Sequence, residues 1–366
     1  MKVIKGFKCL GPTYRMFFIS TTISSLLVFF LLFYDYVPEI FYVLLVSSTT
    51  LILIYIFLSK FAAYPKKWLY GEILLLILTF ITVFHLPSYY VATARITYKK
   101  ELKDDQLMMF DDILIGWLFE GGQISLYIDK NNFLGPHSTF GRFLNNSLQI
   151  FYFFYYLIPY ITLHFINLAN CGKEIIFRYL NKGSRSPTHR KRWNNTLFLF
   201  GVYLLTCVFV FFVNSLVPAS SPRKHLQDKF IHPLKLTGFA KYLNEKCKDD
   251  RSANSFPSGH VSEVFSIGLS FIGMKNYFIG INVIICAFLI GLATLFLRYH
   301  YFCDIIAGIL LSFLSFLINY YFGYKKYLNM LEKEVENVST EVTIDSQGPD
   351  SKGHISLAEE TENKKK

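Results

Sequence analysis

Long blocks of apolar residues, separated by shorter polar stretches, dominate this chain of 366 residues. A run of about 18 or more residues with few charges is long enough to cross a bilayer as a helix. Only 17% of the residues are charged, whereas soluble domains average about 25%. The chain is therefore predicted to be all-α, a polytopic helical bundle that spans the membrane about eight times. The eight candidate spans lie near residues 16–36, 40–60, 69–94, 147–169, 196–217, 260–275, 277–297 and 300–323.

Basic residues indicate which side of the membrane each connection faces. The loop at 170–195 holds seven Lys or Arg residues and one acidic residue. The N-terminus, the turn at Lys66-Lys67 and the start of the tail are also basic. Short basic loops stay in the cytoplasm, and an eight-span chain places all four regions on that side. Both termini are therefore predicted to be cytoplasmic. The lumenal or extracellular loops are then 95–146, 218–259 and 298–300.

Two short motifs lie beside predicted spans on the non-cytoplasmic face. Phe256-Pro257-Ser258-Gly259-His260 precedes the sixth span, and the segment Arg298–Asp304 enters the eighth. The sixth and seventh spans form a hairpin between them, which returns the chain to the same face. A carboxylate inside a membrane segment is costly unless it is paired or functional. The two motifs are therefore expected to form one polar site at the membrane surface.

The histidines and the carboxylate of these motifs suit phosphoester chemistry. His300 and Asp304 are four residues apart, and such positions lie on one face of a helix. Asp304 is expected to accept a hydrogen bond from one ring nitrogen of His300, which leaves the other nitrogen free to attack phosphorus. His260 is the predicted acid that protonates the departing oxygen. The predicted catalytic residues are thus His260, His300 and Asp304.

Four further residues are predicted to bind the phosphate. Ser258 and Gly259 begin the sixth span, where a helix N-terminus and an unhindered backbone favour an oxyanion. Arg223, which follows the fifth span, and Arg298 offer the planar guanidinium that pairs with phosphate oxygens. The six cysteines lack metal-ligand spacing, so no metal and no other cofactor is predicted.

The loop 218–258 is basic, with eight Lys or Arg residues against four acidic ones. It is either an ordinary solvated loop or a surface that attracts anionic headgroups. Nucleic-acid binding is not predicted, because the basic residues are split between the two sides of the membrane. The expected partners are phospholipid or sphingolipid substrates and the bilayer itself, and no protein partner is predicted.

Phe-Pro-Ser-Gly-His followed by His-Tyr-x-x-x-Asp, with a membrane hairpin between the histidines, resembles the type 2 phosphatidic acid phosphatase superfamily. The resemblance covers about 215–323. It implies a phosphohistidine at His300 oriented by Asp304, acid catalysis by His260, phosphate binding by Ser258 and Gly259, and no metal. The chain departs from the family pattern at two places. Leu216 stands where many members have Lys, and Thr294 stands where they often have Arg, a role that Arg298 is positioned to take one turn later.

A second set of residues is similar to the inositol phosphorylceramide synthase-like group. It consists of Pro218-x-x-x-Pro222-Arg223, then Tyr152, Tyr155 and Pro159 in an earlier span, and an acidic stretch at Asp111–Glu120. Members of that group transfer phosphoinositol from phosphatidylinositol to ceramide. The leading prediction is therefore a membrane lipid phosphotransferase of sphingolipid metabolism that acts through a phosphohistidine.

Two alternatives remain open at this stage. A phosphatase acting on phosphatidate, a sphingoid-base phosphate or a polyprenyl pyrophosphate shares every catalytic residue and differs only in using water as the acceptor. A non-catalytic membrane protein that keeps the fold is the other alternative. The expected location is the membrane of the Golgi or the endoplasmic reticulum, or the plasma membrane.

The chain divides into four predicted segments. Residues 1–96 form a three-span region, and residues 97–146 form a lumenal segment with a helix near Ile113–Phe119 that Trp117 anchors in the interface. Residues 147–324 form the phosphatidic acid phosphatase type 2-like catalytic core. Residues 325–366 form a polar cytoplasmic tail that is predicted to be disordered.

Overall fold

The computed structural model describes residues 12–13, 15–16, 19, 101–119, 123–131, 139–162, 187–234, 236–246 and 253–333. The second and third predicted spans, nearly all of the first and the tail beyond residue 333 lie outside these residues. The count of eight spans therefore stays a prediction.

Throughout the described residues the regular structure is helical, with no strand. The helices are α1 (Asp104–Ile115), α2 (Ile124–Lys130), α3 (Thr139–Tyr160), α4 (Pro187–Leu216), α5 (Pro222–His225), α6 (Gly238–Lys246), α7 (Gly259–Gly273), α8 (Tyr277–Phe296) and α9 (Phe302–Asn319). A 3-10 turn at Gln227–Lys229 follows α5, and a π-helical turn at Tyr320–Tyr324 follows α9. The all-α prediction is confirmed for this part of the chain.

Three helices of the described part are long and apolar enough to cross a membrane. They cover Asn194–Leu216, Tyr277–Phe296 and Phe302–Lys333, and they correspond to the fifth, seventh and eighth predicted spans. The sixth predicted span is the 15-residue helix α7. It ends before the expected residue 275 because Lys275 adopts a left-handed conformation with φ of 62°. Asn276 then caps α8 by accepting a hydrogen bond from the Ile279 N–H.

Helix α7 forms the centre of the bundle, since every residue from Val261 to Phe271 is buried. It packs against α3, α4, α8 and α9. The α7–α8 contact depends on small residues. A Cβ added at Gly268 would come within 2.6 Å of the Ile284 side chain, and one at Gly280 within 2.7 Å of the Ile272 side chain. Such small residues let helix backbones approach closely inside a membrane.

Two close backbone contacts bring the motifs to one end of the bundle. A Cβ at Gly308 of α9 would lie 2.7 Å from the Ser258 carbonyl oxygen, so only glycine lets α9 approach the start of α7 this closely. An isolated parallel bridge joins Ala219, which follows α4, to Asn254, which precedes α7. The ends of α4, α7 and α9 therefore meet at a single polar region.

Candidate active site

The first turn of α9 holds His300 and Asp304 together. Tyr301 is the N-cap of α9, and Asp304 occupies the third position of the helix. The Asp304 carboxylate folds back, accepts the Tyr301 backbone N–H at 2.9 Å, and lies 3.1 Å from His300 Nδ1. The predicted pairing therefore occurs, but the expectation that a helix carries both residues is wrong. His300 lies in the turn before the helix, and the N-terminal capping geometry of Asp304 brings the two groups together.

Ser255 is a further member of this group that the sequence reasoning missed. Its hydroxyl donates to Asp304 Oδ2 at 2.6 Å and lies 3.3 Å from His300 Nδ1. All three side chains are buried, and Asp304 is fully so. A buried carboxylate needs such partners because its desolvation is otherwise costly. The signal available in the sequence was a serine immediately before Phe256, at the edge of the first motif.

His260 lies directly against His300. Its Nδ1 atom is 2.9 Å from His300 Nε2, the nitrogen that does not face Asp304. Its other nitrogen, Nε2, is 2.8 Å from the Tyr152 hydroxyl. The rings of Tyr152 and Tyr155 contact the imidazole with centroid distances of 4.7 and 4.4 Å. The three predicted catalytic residues are thus brought together, and aromatic side chains of α3 pack against His260.

Glu263 is a second buried carboxyl, one turn along α7 from His260. Its two oxygens accept hydrogen bonds from the Tyr155 hydroxyl at 3.2 Å and the Tyr203 hydroxyl at 3.0 Å. The sequence offered a signal here, because an acidic residue inside an apolar span calls for partners. Glu263 thus binds the hydroxyl of Tyr155, whose ring contacts His260.

Ser258 and Gly259 lie at the start of α7, beside the catalytic group. The Ser258 backbone N–H donates to the Asp304 carbonyl at 2.9 Å. The Ser258 hydroxyl is fully buried and has no hydrogen-bond partner among the described residues. A Cβ at Gly259 would meet only ordinary contacts at 3.6 Å, to Glu263 and Val210. The structure thus places the Ser258 backbone next to Asp304 and Gly259 in the first turn of α7, and their role with phosphate stays a prediction.

Arg223 connects to the site through stacked tyrosines. Its guanidinium donates to the Asn244 side-chain oxygen at 2.7 Å and lies 5.8 Å from the centroid of the Tyr299 ring. The Tyr299 ring stacks on Tyr152 at 4.6 Å. The Arg223 backbone N–H donates to the Arg298 carbonyl at 2.8 Å. Arg223 is partly exposed and belongs to the same end of the bundle as the histidines.

Arg298 is bound elsewhere in this structure. It adopts a left-handed conformation with φ of 66°, and its guanidinium pairs with Asp129 of α2 at 2.9 Å. The same nitrogen donates to the His232 carbonyl, and the group stacks on the Phe230 ring at 3.9 Å. Burial lowers the pKa of Arg298; the Asp129 carboxylate opposes this effect, and Arg223 lowers the pKa further. Among the described residues, no hydrogen bond joins Arg298 to either catalytic histidine.

Helix α1 supplies two buried carboxylates to the second motif. Asp111 accepts the backbone N–H groups of Phe302 at 3.0 Å and Cys303 at 2.7 Å, and so caps α9. Asp104 accepts the Tyr301 hydroxyl at 2.9 Å. The two acids are seven residues apart and share one helix face. The sequence analysis treated this region as an interfacial segment and its acidic residues as part of the synthase-like pattern, and it missed both contacts.

The interfacial helix lies earlier in the chain than expected. The prediction placed it near Ile113–Phe119, but α1 ends at Ile115 and is followed by a turn. Trp117 is 82% exposed beside this turn. The outward side chains of this region are large and apolar, namely Met109, Phe110, Ile113, Leu114 and Leu118. The buried acids hold α1 against α9, and burial raises the pKa of Asp111 to about 6, opposed by its hydrogen bonds to Cys303 and Phe302.

Comparison with known proteins agrees with this geometry. Residues 196–328 match the model of the PAP2 superfamily. The chain carries a PAP2 superfamily domain. This domain contains all seven predicted site residues and confirms the resemblance inferred from the two motifs. Tyr152, Asp104, Asp111 and Asp129 lie outside the matched residues, so other parts of the chain complete the surroundings of the PAP2 site.

A relative supports the same assignment. Over 263 residues the chain is 30% identical to a PA-phosphatase related-family protein from Dictyostelium discoideum. The match covers 69% of this chain and 46% of the relative, so the chain spans about half the length of the curated protein it matches. No solved structure matches the chain significantly. The PAP2 superfamily domain and the three apolar helices of the described residues together indicate a membrane protein.

Proposed function

We propose that this protein cleaves a phosphoester of a membrane lipid in two steps through a phosphohistidine at His300. The observation that carries the proposal is the contact of His260 Nδ1 with His300 Nε2 at 2.9 Å, on the nitrogen opposite Asp304. One histidine is thereby oriented as a nucleophile and the other as an acid, within a PAP2 domain. A metal-independent reaction fits these roles.

In the first step His300 Nε2 attacks phosphorus, and the bond from phosphorus to the lipid oxygen breaks. His260 gives its proton to that departing oxygen. The Asp304 carboxylate accepts the His300 Nδ1–H and stabilises the positive charge that develops on the ring. In the second step His260 takes a proton from water or an alcohol, whose oxygen attacks phosphorus and breaks the phosphorus–nitrogen bond.

The phosphate-binding assignments form part of the same proposal. Ser258 contributes a buried hydroxyl at the start of α7, and Gly259 leaves the backbone there accessible to an oxyanion. Arg223 is the stronger candidate for the guanidinium clamp, because it is partly exposed and lies on the Tyr299 ring. A phosphate contact by Arg298 would require its guanidinium to leave or share Asp129.

Hydrolysis and transfer differ only in the acceptor. The name of the relative, a PA-phosphatase related-family protein, supports water as acceptor and a phosphatidate-like substrate. Transfer of a headgroup to ceramide is the second candidate. It is favoured by the position of Tyr152 and Tyr155, two residues of the synthase-like pattern, whose rings both contact His260.

The proposal is tested with purified protein in mixed micelles. Phosphatidate alone should release inorganic phosphate under the hydrolase proposal, whereas phosphatidylinositol with ceramide should yield a phosphosphingolipid under the transferase proposal. His300→Ala should lower either activity roughly 1000-fold or more. Rapid quenching with labelled substrate should trap an acid-labile phosphoenzyme in the wild type and none in the variant. Full activity of His300→Ala, or no turnover of either lipid by the wild type, would contradict the proposal.

A further inference from the structure

Tyr152 makes a contact that the two-step mechanism leaves without a role. It is a buried residue of α3, and its hydroxyl lies 2.8 Å from His260 Nε2, the nitrogen that faces away from His300. We infer that Tyr152 is a positioning residue that holds the acid–base histidine in both of the protonation states that turnover requires. This inference rests on the proposed function, since it assigns a partner to the proposed acid.

The hydrogen bonds of the site fix which atom donates and which accepts along the series from Asp304 through His300 and His260 to Tyr152. An ionised carboxylate only accepts, so the His300 nitrogen beside Asp304 carries the hydrogen. The other nitrogen of neutral His300 then accepts, and His260 Nδ1 must donate to it. Neutral His260 consequently presents a lone pair at Nε2, and the Tyr152 hydroxyl donates to that lone pair. The tautomers are assigned here from the hydrogen-bond network.

For acid catalysis, the Tyr152 hydroxyl must accept a hydrogen bond from His260 instead of donating one. The imidazolium form of His260, which takes its additional proton from solvent, carries hydrogens on both nitrogens. The Tyr152 oxygen must then accept from Nε2, while Nδ1 delivers its proton to the departing lipid oxygen. The Nε2 hydrogen stays on the ring until Nδ1 is protonated again in the second step. A hydroxyl can donate in one state and accept in the other, whereas a phenylalanine ring can do neither.

The neighbours of His260 indicate that Tyr152 provides the hydrogen bond to Nε2 in both protonation states. The titratable groups packed on the imidazole are His300 from the turn before α9, and Tyr152 and Tyr155 from α3. The Tyr155 hydroxyl is directed to Glu263, which also accepts from Tyr203 of α4. Asp304 acts on His260 only through His300. Tyr155 therefore contacts the imidazole with its ring, whereas Tyr152 contacts it with both its ring and its hydroxyl.

A second contact holds the Tyr152 ring in place. Tyr299 stacks on it with an interplanar angle of 20° and a centroid distance of 4.6 Å. The Tyr299 hydroxyl is in turn fixed to the Asn244 oxygen at 2.8 Å. The alternative role for Tyr152 is purely structural, since a buried tyrosine hydroxyl generally needs a partner. The two roles predict different kinetics.

The test compares Tyr152→Phe with Tyr155→Phe as a matched control. Each variant removes one phenolic oxygen from α3 and leaves its ring against His260. For Tyr152→Phe we expect kcat to fall about 10- to 100-fold, a part of the roughly 100- to 10,000-fold that general acid–base catalysis supplies. KM should change little, and the alkaline limb of the pH–rate profile should move to lower pH, because the imidazolium loses its acceptor. The limb should keep its wild-type position in Tyr155→Phe.

A comparison of two leaving groups distinguishes an effect of Tyr152→Phe on acid catalysis from an effect on folding. Nitrophenolate leaves without protonation, so Tyr152→Phe should form the phosphoenzyme from nitrophenyl phosphate at close to the wild-type rate. The same variant should fail with a lipid phosphate, whose departing alkoxide needs a proton. An equal loss with both substrates, no loss with either, or an unmoved alkaline limb would overturn the inference. His300→Ala should form no phosphoenzyme from either substrate. Activity of that variant would instead refute the proposed function, so the two failures are distinguishable.

Discussion

At the scale of single residues, the position of the Asp304 carboxylate decides how the site is arranged. One of its oxygens receives the Ser255 hydroxyl at 2.6 Å and the Tyr301 N–H at 2.9 Å, and lies 3.1 Å from His300 Nδ1. Three groups converging on one oxygen fix both the carboxylate and the ring that it orients. The His300 ring, the proposed nucleophile, is thus held by its partners rather than by its own place on a helix.

Ser255→Ala tests this arrangement. The variant removes the shortest hydrogen bond to Asp304 and leaves the imidazole in place, so we expect kcat to fall between about 10- and 100-fold. This range follows from the roughly 1.5–3 kcal/mol that a hydrogen bond to a charged group contributes. KM for the lipid should stay close to the wild-type value. Ser315→Ala is the control, since that hydroxyl donates to the Leu311 carbonyl within α9. Equal kcat values for the two variants would show that Ser255 does not support Asp304.

The sequence predicted that His260, His300 and Asp304 come together, because the spacing within each motif is local and one hairpin joins the two motifs. It did not predict the contacts that Tyr152 and Asp111 make with these motifs, because their partners lie 108 and 191 residues away along the chain. Arg298 was predicted to bind phosphate, but in the structure its backbone is left-handed and its guanidinium binds Asp129. No local sequence pattern predicts that ion pair.

At the scale of elements, α1 acts as a cap for α9. Its Asp111 carboxylate accepts two backbone N–H groups in the first turn of α9, where a helix leaves its first donors without intrahelical partners.

Helix α3 shows how far apolar patterning predicts the bounds of a helix. The fourth predicted span began at residue 147, but α3 begins at Thr139. Its first turns are too polar for a search based on apolar runs, even though Phe140 and Phe143 are exposed there.

Asp111 should make stability depend on pH. Its pKa is raised from 3.8 to about 6 in the folded protein, so the folded state holds this proton more firmly than the unfolded state. Its contribution to the free energy of unfolding is therefore largest below about pH 4 and is lost as the pH rises to 6. Thermal unfolding in detergent at pH 4, 5, 6 and 7 should show this loss in the wild type and not in Asp111→Asn. The exposed neighbour provides the control Asp112→Asn, which should keep the wild-type dependence. Parallel curves for the two variants would contradict this assignment.

At the scale of the whole molecule, the ends of three helices form the face of the bundle that holds the candidate site. The starts of α7 and α9 and the segment after α4 meet there, while α8 presents large apolar side chains outward, as a lipid-facing helix does. The distribution of basic residues predicts that this face is lumenal or extracellular. The described helices fix the relative position of the groups, whereas the side of the membrane follows from charge alone.

The predicted orientation has a direct test. A cysteine placed at residue 187, the first residue of α4 in the basic segment before the fifth predicted span, should be unreachable by a membrane-impermeant thiol reagent applied to intact cells. It should react after permeabilisation. A second cysteine at exposed Lys241, on the opposite face, should react with the same reagent when it is applied to the lumenal or outer side. Labelling of residue 187 in sealed cells would invert the topology.

The capping of α9 by α1 also has a consequence for the order in which the protein is made. Asp111 is synthesised 191 residues before Phe302, and Asp104 is synthesised 197 residues before Tyr301. At about 5–20 residues per second, roughly 10–40 s separate these partners during translation. Both carboxylates must remain hydrated for that interval, since a buried acid without partners is unfavourable. The candidate site can therefore assemble only after α9 has been made, and a chain that stops before residue 302 has no assembled site.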